Sequence, residues 1–155
     1  MGAIESNRDE RSKALAIDLN NLVWKLLSKK ERNDLDNSRL INAAHASCYF
    51  WEMAGTPVNI ARGEWLISRV YSVLGLSESA LYHARKSLQI CQDCGLAQDF
   101  DIAYAYEGLA RSYAIAGNRH EFERYFQMAS EAGEKISLPE DKRLFFEDFK
   151  SEPWQ

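Results

Sequence analysis

The chain has 155 residues, of which 46% are hydrophobic and 12% aromatic, so it is long enough for one domain with a buried core and too hydrophobic for a disordered chain. Its 19 basic and 23 acidic residues give a net charge of −4, which excludes the basic surplus of a general nucleic-acid binder. No apolar run predicts a membrane span, and the polar N-terminus has no signal-peptide pattern. Three cysteines without a staple pattern are typical of a reducing compartment, so we expect the cytoplasm.

Apolar residues recur every three to four positions along nearly the whole chain, which predicts helices and no strand. The predicted helices cover 9–31, 38–54, 57–74, 77–94, 100–116, 119–136 and 139–150. We therefore expect a single helical domain at 9–150, between a flexible N-terminal tail at 1–8 and a C-terminal tail at 151–155.

Local signals mark the ends of these helices. Thr56 and Pro57 form an N-cap followed by a proline at the first helical position, where its missing N–H is not needed. Gly75 and Gly117 stand where a chain leaving a helix adopts a left-handed conformation. Two pairs have capping-box spacing: Asn118 with Glu121, and Ser137 with Glu140.

Two segments of the chain are similar at a period of about 42 residues, which indicates a repeat architecture. Residues 71–75 align with 113–117, and the match extends in both directions. Ala61, Ile67, Tyr71, Gly75 and Ala80 align with Ala103, Leu109, Tyr113, Gly117 and Phe122. The pattern Tyr106-x2-Leu109-Ala110-x2-Tyr113-x3-Gly117-x4-Phe122-x3-Phe126-x2-Ala129 resembles the tetratricopeptide repeat, with Phe122 where alanine is more usual. A similar copy runs from Ile67 to Ser87, so the resemblance covers about 60–135.

The resemblance implies an all-α fold, a right-handed superhelix of antiparallel helical hairpins. We expect about three hairpins, the first formed by the helices at 9–31 and 38–54, and a C-terminal capping helix at 139–150. The chain is similar to small bacterial proteins of this long-repeat kind. It is then expected to be a binding module that takes a partner in a concave groove lined by the first helix of each pair.

The resemblance also implies that the second, fifth and ninth positions of each first helix face the groove. These positions are Arg62, Trp65 and Arg69 in one helix, and Tyr104, Glu107 and Arg111 in the next. Spacings of three and four residues place each trio on one helix face, independently of the resemblance. Three guanidinium groups beside two large aromatic rings favour a protein or an acidic peptide as partner. The alternative is a solvated face, on which Glu107 and Arg111 form an ordinary i,i+4 pair.

No catalytic residue, metal ligand or cofactor is predicted. Cys91 and Cys94 lack the second ligand pair of a structural zinc site, and His45 with Cys48 is explained by core packing. An alternative function is a small anionic-ligand binder or enzyme with a polar pocket around His45, Asn59, Arg62 and Glu64. No nucleic-acid or membrane partner is expected. Self-association is possible through the apolar cluster at the C-terminus: Leu144, Phe145, Phe146, Phe149 and Trp154.

Overall fold

A computed structural model describes residues 2–150 and Trp154, and within these residues the protein has seven α-helices and no strand. The all-α prediction is therefore confirmed. The helices are α1 (Gly2–Leu27), α2 (Asp34–Ala54), α3 (Pro57–Val73), α4 (Ser77–Asp93), α5 (Asp99–Ile115), α6 (Arg119–Glu134) and α7 (Pro139–Lys150). None of these helices combines the length and the apolarity needed to cross a membrane.

The predicted helix ends agree with the structure where a local signal is strong. Pro57 is the first residue of α3 and Thr56 its N-cap. Gly75 and Gly117 have φ angles of 74° and 71°, the left-handed conformation in which a β-carbon would be strained. Asn118 caps α6 by accepting a hydrogen bond from the backbone N–H of Glu121 at 3.2 Å. These turns are therefore determined by residues close in the chain.

The first helix is longer than predicted. Residues 2–8, predicted to be a flexible tail, form the first two turns of α1. They contain no proline and consist largely of polar residues that tolerate a helix, and their described side chains are exposed. Burial begins at Ser12 and Ala16, where α1 meets the rest of the domain. The predicted C-terminal tail at 151–155 lies outside the described residues except for Trp154.

Helix α2 begins at Asp34, four residues before its predicted start at 38. Asn33 caps it: its side chain accepts a hydrogen bond from the Asp36 N–H at 2.9 Å, and its own N–H donates to Asp36 at 3.3 Å. Asn33-x2-Asp36 is a readable capping box that our prediction missed.

The capping box predicted at Ser137 and Glu140 is wrong. The Ser137 side chain donates instead to Asp99 at the start of α5, with an Oγ to Oδ2 distance of 2.7 Å, and α7 begins at Pro139. The Ser137 hydroxyl therefore bonds to a carboxylate 38 residues away in the sequence and does not cap a helix.

Helices adjacent in sequence pack on each other in pairs, α1 on α2, α3 on α4 and α5 on α6. Contacts of α2 with α3 and of α4 with α5 join the pairs, and α3 also touches α5. Helix α7 packs on α5 and α6. The helix α5 therefore lies at the centre of the domain, with α3, α4, α6 and α7 around it.

Small buried residues let the paired helices approach closely. The Ser47 hydroxyl of α2 donates to the Ala16 carbonyl of α1 at 2.7 Å, and the Ser87 hydroxyl of α4 donates to the Ala61 carbonyl of α3 at 2.8 Å. In the third pair the corresponding positions are Ala103 and Ala129, both fully buried. A larger side chain at any of these positions would force the two helices apart.

The C-terminal aromatic cluster packs on the last helix pair, as predicted for a capping helix. Phe145 is fully buried and Phe149 nearly so, and Gly133 of α6 leaves room for the Phe145 ring. Trp154 lies 5.3 Å from the rings of Phe126 and Phe149, measured between centroids, and its indole N–H donates to the Phe149 carbonyl. Leu144, predicted as part of the same apolar cluster, is 45% exposed and points away from this core.

Candidate binding groove

An open cleft of about 220 Å³ is formed by residues of α1, α3, α4, α5 and α7. Its walls are rich in aromatic rings and also carry an arginine and two carboxylates. The residues that define it are Trp24, Arg62, Trp65, Phe100, Tyr104 and Asp148. Three of the six predicted groove residues, Arg62, Trp65 and Tyr104, therefore share one cleft.

Arg62 of α3 is held at the edge of the cleft by a bidentate ion pair with Asp101 of α5. The Nε to Oδ1 distance is 2.8 Å and the Nη2 to Oδ2 distance is 3.1 Å. The hydrogen bonds that Arg62 donates to Asp101 raise the pKa of the guanidinium above its ordinary value. Asp101 is buried and also caps α5 by accepting from the Gln98 N–H, whereas the Arg62 side chain is 46% exposed. The pair therefore presents a cationic edge to solvent and hides its carboxylate.

Arg69, one helical turn along from Trp65, lies against two neighbouring tryptophan rings. Its guanidinium carbon is 5.4 Å from the Trp24 ring centroid and 5.7 Å from that of Trp65. The two indole rings are themselves 6.1 Å apart. Such cation–π contacts hold a guanidinium against aromatic faces. Arg69 is therefore half-buried and packs against the tryptophans of α1 and α3, and it does not line the cleft.

Glu107 and Arg111 were predicted to face the groove, but both are buried, with 0% and 4% of their surface exposed. They form an ion pair with each other along α5, and Glu107 also accepts a hydrogen bond from the Trp65 indole N–H at 2.9 Å. The reason is the central place of α5, which packs against α3, α4, α6 and α7, with the Trp65 indole directly on Glu107. The Glu107–Arg111 pair is therefore part of the buried core next to the cleft, where a ligand cannot contact it.

Tyr104 joins the cleft to α7. Its hydroxyl donates to Asp148 with an oxygen–oxygen distance of 2.6 Å, and its ring meets Trp65 and Phe145 edge-on at centroid distances of 5.1 Å. Burial, followed by the neighbouring Asp148 carboxylate, raises the pKa of Tyr104 well above its ordinary value, so the phenol stays neutral. A neutral, fixed phenol forms part of the wall of the cleft.

A second depression continues the groove past Arg62. It is lined by Ile17, Asn20, Trp51, Asn59, Arg62 and Gly63, and it shares Asn20 and Arg62 with the cleft. Asn59 is partly occupied as the capping residue of α3, where its carbonyl oxygen accepts from the Thr56 N–H and hydroxyl, each at 3.0 Å. The groove thus extends along α1 and α3 and has aromatic, amide and arginine groups on its surface.

The four residues of the alternative pocket are divided between two places. Asn59 and Arg62 line the groove, whereas His45 and Glu64, both among the described residues, line neither the cleft nor the second depression. Glu64 lies between α3 and α4, where it accepts hydrogen bonds from His83 at 2.5 Å and from Lys86 at 2.7 Å. His45 shares a hydrogen bond of 2.9 Å with the Tyr71 hydroxyl.

Burial and neighbouring groups shift the pKa values of several residues around Glu64. Burial would raise the pKa of Glu64, but the hydrogen bonds from His83 and Lys86 outweigh it and lower the pKa. Burial and the nearby His83 lower the pKa of His45. Burial and the Glu64 charge raise the pKa of Cys48 to about 12, so its thiol is protonated. The cluster therefore contains an ionised buried carboxylate with a lysine as its cation.

Cys91 lines the inner wall of the cleft and is buried, in agreement with the predicted role in core packing. Burial raises the pKa of its thiol to about 11, so it is a weak nucleophile there. Cys94 is half-buried at the end of α4, and all three cysteines are free thiols.

The sequence analysis missed several residues that line the cleft, among them Asn20, Trp24, Phe100 and Asp148. Trp24 and Asn20 lie on α1, which was predicted as a diverged first helix without assigned groove positions. The spacing of Asn20 and Trp24, four residues apart, is the signal that could have placed both on one face. Asp148 carries no local signal, because its place is set by how α7 packs on α5.

The chain was compared with models of protein families, with curated proteins and with solved structures, and none of them matches it. Its function is therefore inferred from the fold and from the geometry of the groove.

Proposed function

We propose that this protein is a non-enzymatic binding module, a tetratricopeptide-like right-handed stack of antiparallel helical hairpins that takes a segment of a partner protein in its concave groove. The observation that carries the proposal is the cleft, in which residues of α1, α3 and α5 form one open aromatic wall. Those three helices are the first members of the three packed pairs.

The internal packing supports a repeated unit. Tyr71 stacks on His83 with centroids 5.6 Å apart, and Tyr113, one repeat period later, stacks on Tyr125 at the same distance. His83 and Tyr125 are also separated by one repeat period. In both copies a side chain from the preceding pair reaches the tyrosine hydroxyl: His45 to Tyr71 at 2.9 Å, and Arg85 to Tyr113 at 3.0 Å. A stack of similar pairs would place its first helices side by side.

The positions of the charged side chains in the groove change the kind of ligand that we propose. Three arginines were expected to attract an acidic segment, but Arg111 is buried with Glu107, and the half-buried Arg69 packs against two indole rings. Of the three, only Arg62 combines a place in the cleft with a half-exposed guanidinium. We therefore propose a guest that inserts a bulky apolar side chain among the aromatic rings and places an acidic group near Arg62. Aromatic walls supply contact area at low entropic cost, and a rim charge supplies orientation.

Display of random peptides on phage, selected against the folded protein, tests this function. We expect enriched peptides to share a bulky apolar residue near an acidic one, and their affinity can be measured through tryptophan fluorescence. Trp24→Ala should weaken binding about tenfold or more, because it removes one wall of the cleft. Trp154→Ala is the matched control, since Trp154 packs on the α6–α7 side. Peptides that bind both variants like the parent protein, or no enrichment at all, would refute the groove.

The compartment is part of the same proposal. Three free thiols, two of them buried, are stable in the reducing cytoplasm, where we place the protein and its partner.

A further inference from the structure

A polar cluster occupies the junction of α2, α3 and α4 and takes no part in the groove. Its members are His45, Cys48 and Glu52 of α2, Glu64 of α3, and His83 and Lys86 of α4. The α2 residues are spaced three and four positions apart, so they lie on one face of that helix. Two helix pairs meet at this junction.

The fold itself does not require a carboxylate at this place. Glu64 and His83 correspond, one repeat period later, to Tyr106 and Tyr125, whose rings pack against each other with centroids 6.3 Å apart. An aromatic pair thus fills the same position in the next helix pair without a buried charge. Glu64 is only 2% exposed, and burying an ionised carboxylate is costly. The exchange of two rings for a carboxylate and an imidazole therefore indicates a role in binding a cation.

Three donor atoms of the cluster converge. The Cys48 sulfur and one carboxylate oxygen each from Glu52 and Glu64 all lie within 4.8 Å of one another. The ligand atoms of a tetrahedral zinc ion lie about 3.6 Å from one another. Side-chain movements of about 1 Å would therefore bring these three donor atoms to bonding distance from a shared ion. The exposed Glu52 is able to make such a movement. Its carboxylate also gives the ion a path from solvent.

The Cys48 thiol packs directly against Gly63, a position where only glycine leaves enough room. A β-carbon at Gly63 would lie 2.8 Å from the Cys48 sulfur, a distance that no relaxed structure tolerates. Gly63 thus lets α2 and α3 approach so that the Cys48 thiol comes within 3.9 Å of the Glu64 carboxylate. A sulfur donor beside carboxylates and imidazoles selects zinc-like metals over magnesium or calcium.

A cation already pairs with one of the donor oxygens of this cluster. The Lys86 ammonium lies 2.7 Å from Glu64 Oε1, the oxygen nearest the Cys48 thiol. The Lys86 side chain is 44% exposed, so it can turn into solvent without unpacking the core. We propose that Cys48, Glu52 and Glu64 bind Zn²⁺ or a similar divalent transition metal, which displaces Lys86, while His83 orients Glu64 or supplies a fourth ligand. The ion would bond the first helix pair to the second through α2 and α3.

Titration with Co²⁺ tests this site directly, because cobalt bound to a thiolate gives a near-ultraviolet charge-transfer band together with visible bands. We expect the band in the parent protein, its loss on addition of Zn²⁺, and its absence in Cys48→Ser. Lys86→Met should bind cobalt about tenfold more tightly, since the competing ammonium is gone, and Glu52→Gln about tenfold more weakly. Cys94→Ser is the matched control, a half-buried cysteine outside the cluster that should leave the band unchanged.

Two outcomes would overturn the site. One is a band that survives Cys48→Ser, which would assign the metal to another thiol. The other is the absence of a band in Lys86→Met with about millimolar Co²⁺, at which even a weak site would be occupied. Circular dichroism checks that each variant is folded, and Glu52→Gln, changed at an exposed position, keeps the test informative if Cys48→Ser does not fold. These results do not depend on the groove, because neither Cys48 nor Lys86 lines it.

Discussion

Two arginine–carboxylate pairs support the groove, and they differ in their exposure to water. The Arg62–Asp101 pair joins α3 to α5 at the rim, and nearly half of the arginine side chain is in solvent. The Glu107–Arg111 pair lies within α5, and at most 5% of either side chain is exposed. Attraction between opposite charges is screened at the rim and strong inside, where the cost of losing one partner is also high. The same two residue types therefore form a solvent-exposed edge in one place and part of the buried core in the other.

The substitution expected to have the largest effect on stability is Glu107→Ala. The substitution leaves the buried Arg111 without the Glu107 carboxylate and the Trp65 indole N–H without its acceptor. We expect the free energy of unfolding to fall by about 3–5 kcal/mol, measured by urea denaturation. Glu123→Ala, which removes an exposed partner of Arg119 on α6, should change it by less than about 0.5 kcal/mol. Equal losses in the two variants would mean that burial does not distinguish the pairs.

Replacing both members of the buried pair sharpens the point. Glu107→Leu combined with Arg111→Met removes both charges and keeps most of the volume. Since neither charge of the pair is left behind, we expect the double variant to be more stable than Glu107→Ala by about 1–3 kcal/mol in the same urea experiment. Destabilisation equal to the sum of the single changes would show that the two side chains act independently.

The hydrogen bond that the neutral Tyr104 phenol donates to the Asp148 carboxylate falls between the two extremes. Tyr104→Phe keeps the ring contacts with Trp65 and Phe145 and removes only the hydroxyl. We expect a loss of about 1 kcal/mol, seen as a lower thermal unfolding midpoint. Tyr82→Phe on the exposed surface of α4 is the control and should leave the midpoint unchanged. A shift as large as that of Glu107→Ala would instead indicate that α7 detaches.

At the rim, Arg62→Met should lower the free energy of unfolding by at most about 1 kcal/mol, because the arginine is half-exposed. Asp101→Asn should cost more, since Asp101 also accepts the Gln98 N–H that caps α5. Arg62→Met should weaken peptide affinity, measured by tryptophan fluorescence, by a larger free energy than it removes from the stability of the fold. A variant that binds acidic peptides normally would contradict the place given to Arg62 in recognition.

The smallest effect is expected from a third acid–base contact, Lys29 with Asp36, which links the end of α1 to the start of α2 at 2.6 Å. The hydrogen bond from Lys29 lowers the pKa of Asp36 below its ordinary value. The contact thus stabilises the fold above the ordinary aspartate pKa, and this contribution is lost as the pH falls through the lowered value. Thermal unfolding at neutral pH and near about pH 3 should show a slightly smaller acid-induced loss in Asp36→Asn than in the parent. An identical loss would show that Lys29 does not affect Asp36.

The groove illustrates how far local patterns reach. Arg62, Trp65 and Arg69 share a wall because residues three and four apart lie on one helix face. The same reasoning misplaced Glu107 and Arg111, since periodicity identifies a face and does not say what covers it. Trp65 and Glu107 occupy equivalent positions one repeat period apart, and they are hydrogen-bonded to each other. The repeat alignment paired these two residues, but our sequence analysis did not predict their contact.

By itself, the sequence determined the helical class and the turns at Thr56, Gly75 and Gly117, because caps, prolines and left-handed glycines act over a few residues. Only the tertiary structure decided which charges are exposed, since the partners Asp101 of Arg62 and Lys86 of Glu64 are brought together from distant parts of the chain. It also decided that Cys48, Glu52 and Glu64 meet. Burial and pairing depend on how whole helices pack, and that packing energy is spread over many contacts with no local signature.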